Sequence, residues 1–75
     1  MDEGFILSNK HRRAIFYEIA SGEKNINRII KKQRIIRSVA EKIISDFINA
    51  GILEQKGNTI WFTTEGEKLA EKMGK

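Results

Sequence analysis

The sequence predicts a mainly α protein with one small β-hairpin, and three observations carry that expectation. Apolar residues recur at helical spacing through the first two thirds of the chain, as in Ile15, Phe16 and Ile19 and again in Ala40, Ile44, Phe47 and Ile48. The period then drops to two in the runs 52–56 and 59–63, which are separated only by Gly57-Asn58. Thr64 and Glu67 then stand at the spacing of a capping box, ahead of a last apolar stripe of Leu69, Ala70 and Met73. The expected order is helix, helix, helix, hairpin, helix.

Each element has its own local justification. Residues 1–7 form an N-terminal segment whose Phe5, Ile6 and Leu7 would add a third strand, cover the hairpin or make a dimer contact; intramolecular cover is the favoured expectation. Ser8 is the expected N-cap of a first helix at about 9–21, and Gly22 is placed to stop it. Lys24-Asn25-Ile26 reads as a short connection with one extended residue pair, and Asn25 or Asn27 would cap a second helix. A break follows near Gln33-Arg34, where no glycine marks a turn. The competing reading is one helix over 27–50, because Ile29, Ile30, Ile36, Val39 and Ile43 nearly complete a continuous stripe. The third helix starts near Arg37 and ends at Asn49-Ala50, with Gly51 in the left-handed position. The region 8–50 is thus a three-helix core, 51–63 a hairpin and 64–75 a closing helix, all in one domain over 1–75.

Length and composition bound the function. Seventy-five residues allow one domain and one small core, with no deep water-excluding cleft. A chain 40% hydrophobic and 32% charged has the balance of a folded protein. The lack of Cys excludes a disulfide scaffold and a thiolate metal site, and the single His excludes His-rich ligation. No apolar run approaches the ~20 residues of a membrane span, and no signal-peptide apolar region is present, so a cytoplasmic protein with no membrane partner is expected. Gly-rich phosphate loops, zinc spacings and serine motifs are missing, which argues against an enzyme and implies no cofactor and no small-molecule substrate.

The net charge of +4 is unevenly placed. From Lys10 to Lys42 ten Lys/Arg face only Glu18, Glu23 and Glu41, a balance of +7, while the rest of the chain has four Lys and seven acids, a balance of −3. Such asymmetry points to a polyanion on one face, or else to a lysine-rich solvated surface. The opening Lys10-His11-Arg12-Arg13 sets cations at a helix start, where they oppose the helix dipole and need compensation.

Two short stretches carry a family resemblance. Asn49-Ala50-Gly51-Ile52-Leu53-Glu54 resembles the (E/N)-A-G-(L/I)-(V/L/I)-E stretch that ends the recognition helix in regulators of the MarR, ArsR and PadR type. Phe62-Thr63-Thr64-Glu65-Gly66 is similar to their L-T-x-x-G stretch, where the second wing strand enters the final helix. The resemblance spans essentially residues 8–73 and implies a winged helix-turn-helix fold, of the small archaeal style suggested by an Ile/Lys-rich, Cys-free composition. It implies a double-stranded DNA-binding transcriptional regulator, which would set the helix starting near Arg37 into the major groove.

Under that resemblance Arg37, Ser38, Glu41, Lys42 and Ser45 occupy the base-contacting face. Arg37 would grip guanine O6/N7, Ser38 a base edge or a phosphate, and Glu41 a cytosine amino group or a neighbouring cation. Arg28, Lys31, Lys32 and Arg34, with Lys56 at the hairpin tip, would neutralise phosphates. The plain alternative for each is a solvated side chain. Trp61 alternates with Ile60 and Phe62, so it would stand exposed on the hairpin, and together with Phe5 it is a candidate interface residue. Rival readings are a protein-interaction adaptor acting through Trp61 and the hairpin, or an RNA-binding module on the same fold. A homodimer or a protein partner stays open.

Overall fold

The computed structural model describes residues 2–74. The chain runs α1 (Glu3–Leu7), α2 (Lys10–Ala20), α3 (Ile26–Gln33), α4 (Arg37–Asn49), β1 (Leu53–Lys56), β2 (Thr59–Phe62) and α5 (Thr64–Lys72). It is mainly helical with a two-stranded antiparallel hairpin, and its radius of gyration is 10.9 Å.

The N-terminal segment is helical, not the third strand that was one of its expected alternatives. Asp2 caps α1 by accepting from the Phe5 N–H at 2.9 Å, and Ile6 is fully buried. The segment does cover the core, but as a helix. Phe5 is half-buried, with the Arg12 guanidinium 3.9 Å from its ring centroid.

Ser8 is not the cap of α2. Its backbone is helical and its Oγ donates to the Phe5 carbonyl at 3.1 Å, so it closes α1 instead. Asn9 has the extended backbone that an N-cap requires, and its Oδ1 accepts from the N–H groups of His11 and Arg12. The cations that follow are compensated within the fold. Arg12 and Arg13 donate to the carbonyls of Phe5 and Leu7 at 3.3 and 3.2 Å, the C-terminal end of α1. Guanidinium groups there complement the negative end of the α1 dipole while opposing the α2 dipole.

Three helices end in one hydrogen-bond pattern. At the end of α2, Gly22 bonds back to Ile19 and Glu23 to Glu18; at the end of α4, Gly51 bonds to Ile48 and Ile52 to Phe47. These are Schellman motifs, with glycine at φ +109° and +81°. After α3, Arg34 bonds to Lys31 and Ile35 to Ile30, and Arg34 itself takes the left-handed position at φ 53°, ψ 44°. The chain therefore breaks here into two helices, and the single helix over 27–50 does not form. An arginine does what glycine does at the other two ends.

The hairpin pairs Leu53 with Phe62 and Lys56 with Thr59 around Gly57-Asn58. Gly57 has φ +61°, whereas Asn58 keeps a negative φ. The strands are one residue shorter than expected at their outer ends, because Ile52 completes the end of α4 and Thr63 caps α5. Asn25 bridges to Thr59, with Ile26 N–H on the Asn58 carbonyl and Ile60 N–H on that of Lys24. The extended pair expected at 24–26 thus flanks β2.

The last helix is capped one residue earlier than expected. Thr63, not Thr64, accepts from the Gly66 N–H at 3.1 Å and donates to the Gly51 carbonyl at 2.6 Å. The capping box with Glu67 therefore does not form, because glycine stands at the third helical position. The cause is space: a β-carbon at Gly66 would lie 2.1 Å from the Ile52 oxygen and 2.9 Å from Phe62. The expected helix over 64–75 ends at Lys72, and Lys75, like Met1, lies outside the described residues.

The core is built on Phe16 and Phe47, edge to face at 6.2 Å, with Phe62 5.0 Å from Phe16. Ile15, Ile29, Leu53 and Ile60 close around them, each essentially without exposure. Each such side chain contributes roughly 1.5–3 kcal/mol of apolar burial, and each aromatic pair about 0.5–1.5 kcal/mol more.

Candidate nucleic-acid interface

Two helices and a tight turn form the site. Asn25 caps α3 by accepting from Arg28 N–H at 3.1 Å, and buried Ile26 and Ile29 anchor the helix on the core. Residues 34–36 then redirect the chain, and α4 buries Ala40, Ile43, Ile44 and Phe47. This leaves Arg37, Ser38, Glu41, Lys42 and Ser45 exposed together on its outer face, where the sequence places them. Arg37 bonds across the turn to Asn27 Oδ1 and lies 3.6 Å from Glu41, while Lys42 pairs with Asp46 at 2.8 Å. Exposed pairs of this kind are worth only about 0.3–0.5 kcal/mol, so a stronger anionic ligand readily replaces them.

Arg28, Lys31, Lys32 and Arg34 are all exposed along α3 and the turn. Lys32 differs from the others: its Nζ lies 3.4 Å from the carboxylate of Glu18, which is only 8% exposed and also accepts from Gln33 Nε2. Lys32 and Gln33 therefore tie α3 to α2 through a buried acid. Arg28, Lys31, Arg34 and Lys56 make no ion pair among the described residues. Lys56 sits at the hairpin turn, paired with Thr59, which is itself bridged to Asn25 at the start of α3.

Between α4 and the hairpin runs a groove of about 300 Å³. Arg37, Glu41 and Ser45 line it from α4, Gln55 and Asn58 from the hairpin, with Ile44 and Ile48 between. Gln55 and Asn58 were not singled out in the sequence. Trp61 is half-buried, not fully exposed: it stands opposite Glu54 in the hairpin, and its indole N–H donates to Glu54 Oε1 at 3.2 Å. Asn27 enters the sequence reading only as an alternative cap of the second helix, not as the partner of Arg37, and Ile36 only as part of an apolar stripe. Ile36 lies at the N-cap of α4, 72% exposed, with no side-chain capping bond.

Among the described residues no group of His and acidic side chains is placed to hold a metal ion, and no helix is long and apolar enough to cross a membrane. Compared with known protein families, characterised proteins and solved structures, the chain matches none of them.

Proposed function

We propose that this protein is a winged helix-turn-helix double-stranded DNA-binding module, acting as a transcriptional regulator by occupying its site. In this reading α3 and α4 are the helix-turn-helix, α4 enters the major groove, and β1–β2 is the wing. One observation carries it: Arg28, Lys31 and Arg34 are exposed on the helix and turn that lead into the exposed polar face of α4, whose Arg37 reaches back across the turn to Asn27. The major groove, about 12 Å wide, admits one helix, and flanking Lys/Arg then reach the phosphates on either side. Four of the proposed phosphate contacts, Arg28, Lys31, Arg34 and Lys56, hold no ion pair among the described residues and predict a log–log salt slope of about −3.5 to −4.

The test is an NMR titration of labelled protein with a mixed-sequence duplex at low and moderate salt. Shifts at residues 37–45, in the 28–34 segment and at Lys56, weakening with salt, support groove binding. Absence of shifts at low salt overturns it. The adaptor reading through Trp61 and the hairpin predicts instead shifts confined to the hairpin on addition of a protein partner, with little salt dependence.

A further inference from the structure

The turn between α3 and α4 holds two residues whose types work against local stability. Arg34 adopts the left-handed conformation, the only described non-glycine residue with positive φ. Ile36 fills an N-cap position that favours Ser, Thr, Asp or Asn, and it contributes no capping bond. It is also 72% exposed, against 40% and 37% for Leu7 and Val39, the other large apolar residues on the surface. Sequences break local rules of this kind chiefly at functional sites.

The surroundings of Ile36 narrow what it meets. Arg34 and Arg37 flank it, Lys31 and Arg28 lie on the preceding helix, and no acid occurs from Arg28 to Arg37. An exposed apolar tip flanked in the chain by two exposed arginines complements a polyanion that carries apolar groups within it. Duplex DNA is such a surface, since the thymine C5-methyl projects into the major groove between the phosphate strands. Ile36 sits at the leading end of α4, next to Arg37, whose guanidinium suits the O6/N7 edge of guanine.

Resting on the DNA-binding reading above, we infer that Ile36 is a specificity-determining residue that packs on a thymine methyl in the major groove. The preferred site then contains a thymine whose methyl, and not its hydrogen-bonding edge alone, is recognised. Replacing that thymine by deoxyuridine removes only the methyl and lowers affinity about fourfold, the worth of one buried methyl group. Ile36→Ser removes that preference. Because serine is a better N-cap, the same variant raises the unfolding midpoint by about 4–8 °C, so loss of discrimination is not loss of fold.

The experiment selects a preferred duplex from a random pool. Each thymine in it is then replaced by deoxyuridine, and both versions are titrated with wild type and with Ile36→Ser. One thymine-specific loss in wild type, absent from Ile36→Ser, supports the assignment. If wild type binds all the substituted duplexes equally, or Ile36→Ser keeps the thymine preference, the assignment is overturned and Ile36 is left to a protein contact. If no duplex binds even at low salt, the DNA-binding reading fails first, and the inference falls with it.

Discussion

Gly66 and Ile52 meet backbone to backbone: a β-carbon on Gly66 would stand 2.1 Å from the Ile52 carbonyl oxygen. The start of α5 is thereby pressed onto the entry to β1, with Thr63 bonding both the helix and the Gly51 carbonyl. In an ordinary helix Gly→Ala gains about 1 kcal/mol. Here Gly66→Ala is expected to lose about 1–3 kcal/mol, because backbone and Phe62 must move aside. Urea unfolding of the variant measures this, and a stabilised Gly66→Ala would show that the close approach is not kept in solution.

Arg34→Gly is expected to have the opposite sign. It relieves the cost of a left-handed L-residue, roughly 1–2 kcal/mol, against the extra unfolded-state freedom of glycine at about 0.5–1 kcal/mol. The net gain is about 0.5–1 kcal/mol, or a few degrees in unfolding midpoint. The same change removes an exposed cation, so duplex affinity falls while stability rises. Thermal melts and binding titrations on one preparation check both signs together.

Arg37→Ala with Lys42→Ala is expected to abolish duplex binding at little structural cost. Both side chains are mostly exposed and hold only i,i+4 pairs and the Asn27 contact. The stability loss is about 1 kcal/mol or less. A folded double variant with wild-type affinity would remove α4 from the interface.

Glu18 and Lys32 provide a structural contrast. Glu18→Ala is expected to cost about 1–3 kcal/mol, because Gln33 loses its buried acceptor. Lys32→Ala costs under about 1 kcal/mol, since its ammonium is largely in water. In binding, removing Arg28, Lys31 or Arg34 lowers the salt slope by about 1 each, whereas Lys32, already facing a carboxylate, changes it less. A full unit from Lys32→Ala would mean that the Glu18 pair opens on binding.

Much of this was legible in the sequence, and the misses have identifiable physical causes. Isoleucine and phenylalanine spacing located α2, α3 and α4, and Gly22, Gly51 and Gly57 marked where the chain turns back. Periodicity also placed Arg37, Ser38, Glu41, Lys42 and Ser45 on the outer face of α4. The caps slipped by one residue at Ser8 and Thr64, because adjacent polar residues have similar capping chemistry and tertiary packing selects between them. The break at Arg34 had no local signal, since the left-handed turn is imposed by packing on both sides of it. Sequence patterns did not show the Glu18–Lys32 link, whose partners come from different helices. Ile36 was hidden by its own hydrophobicity, which pointed inward while the fold turned it outward.

The bridge from Asn25 to Thr59 bears on how the chain behaves when crowded with copies of itself. A hairpin has two open margins at which a foreign strand can add and start a growing sheet. On β2 that margin is already taken by the backbone of Lys24 and Ile26, through bonds of 2.9 Å at both Ile60 and Asn58. What remains is the short end of β2 past Ile60 and the margin of β1, four residues long, with Glu54 and Lys56 among them. A short, charged margin is a poor template, so concentrated samples are expected to stay free of sheet-driven aggregation without an added partner to shield the hairpin.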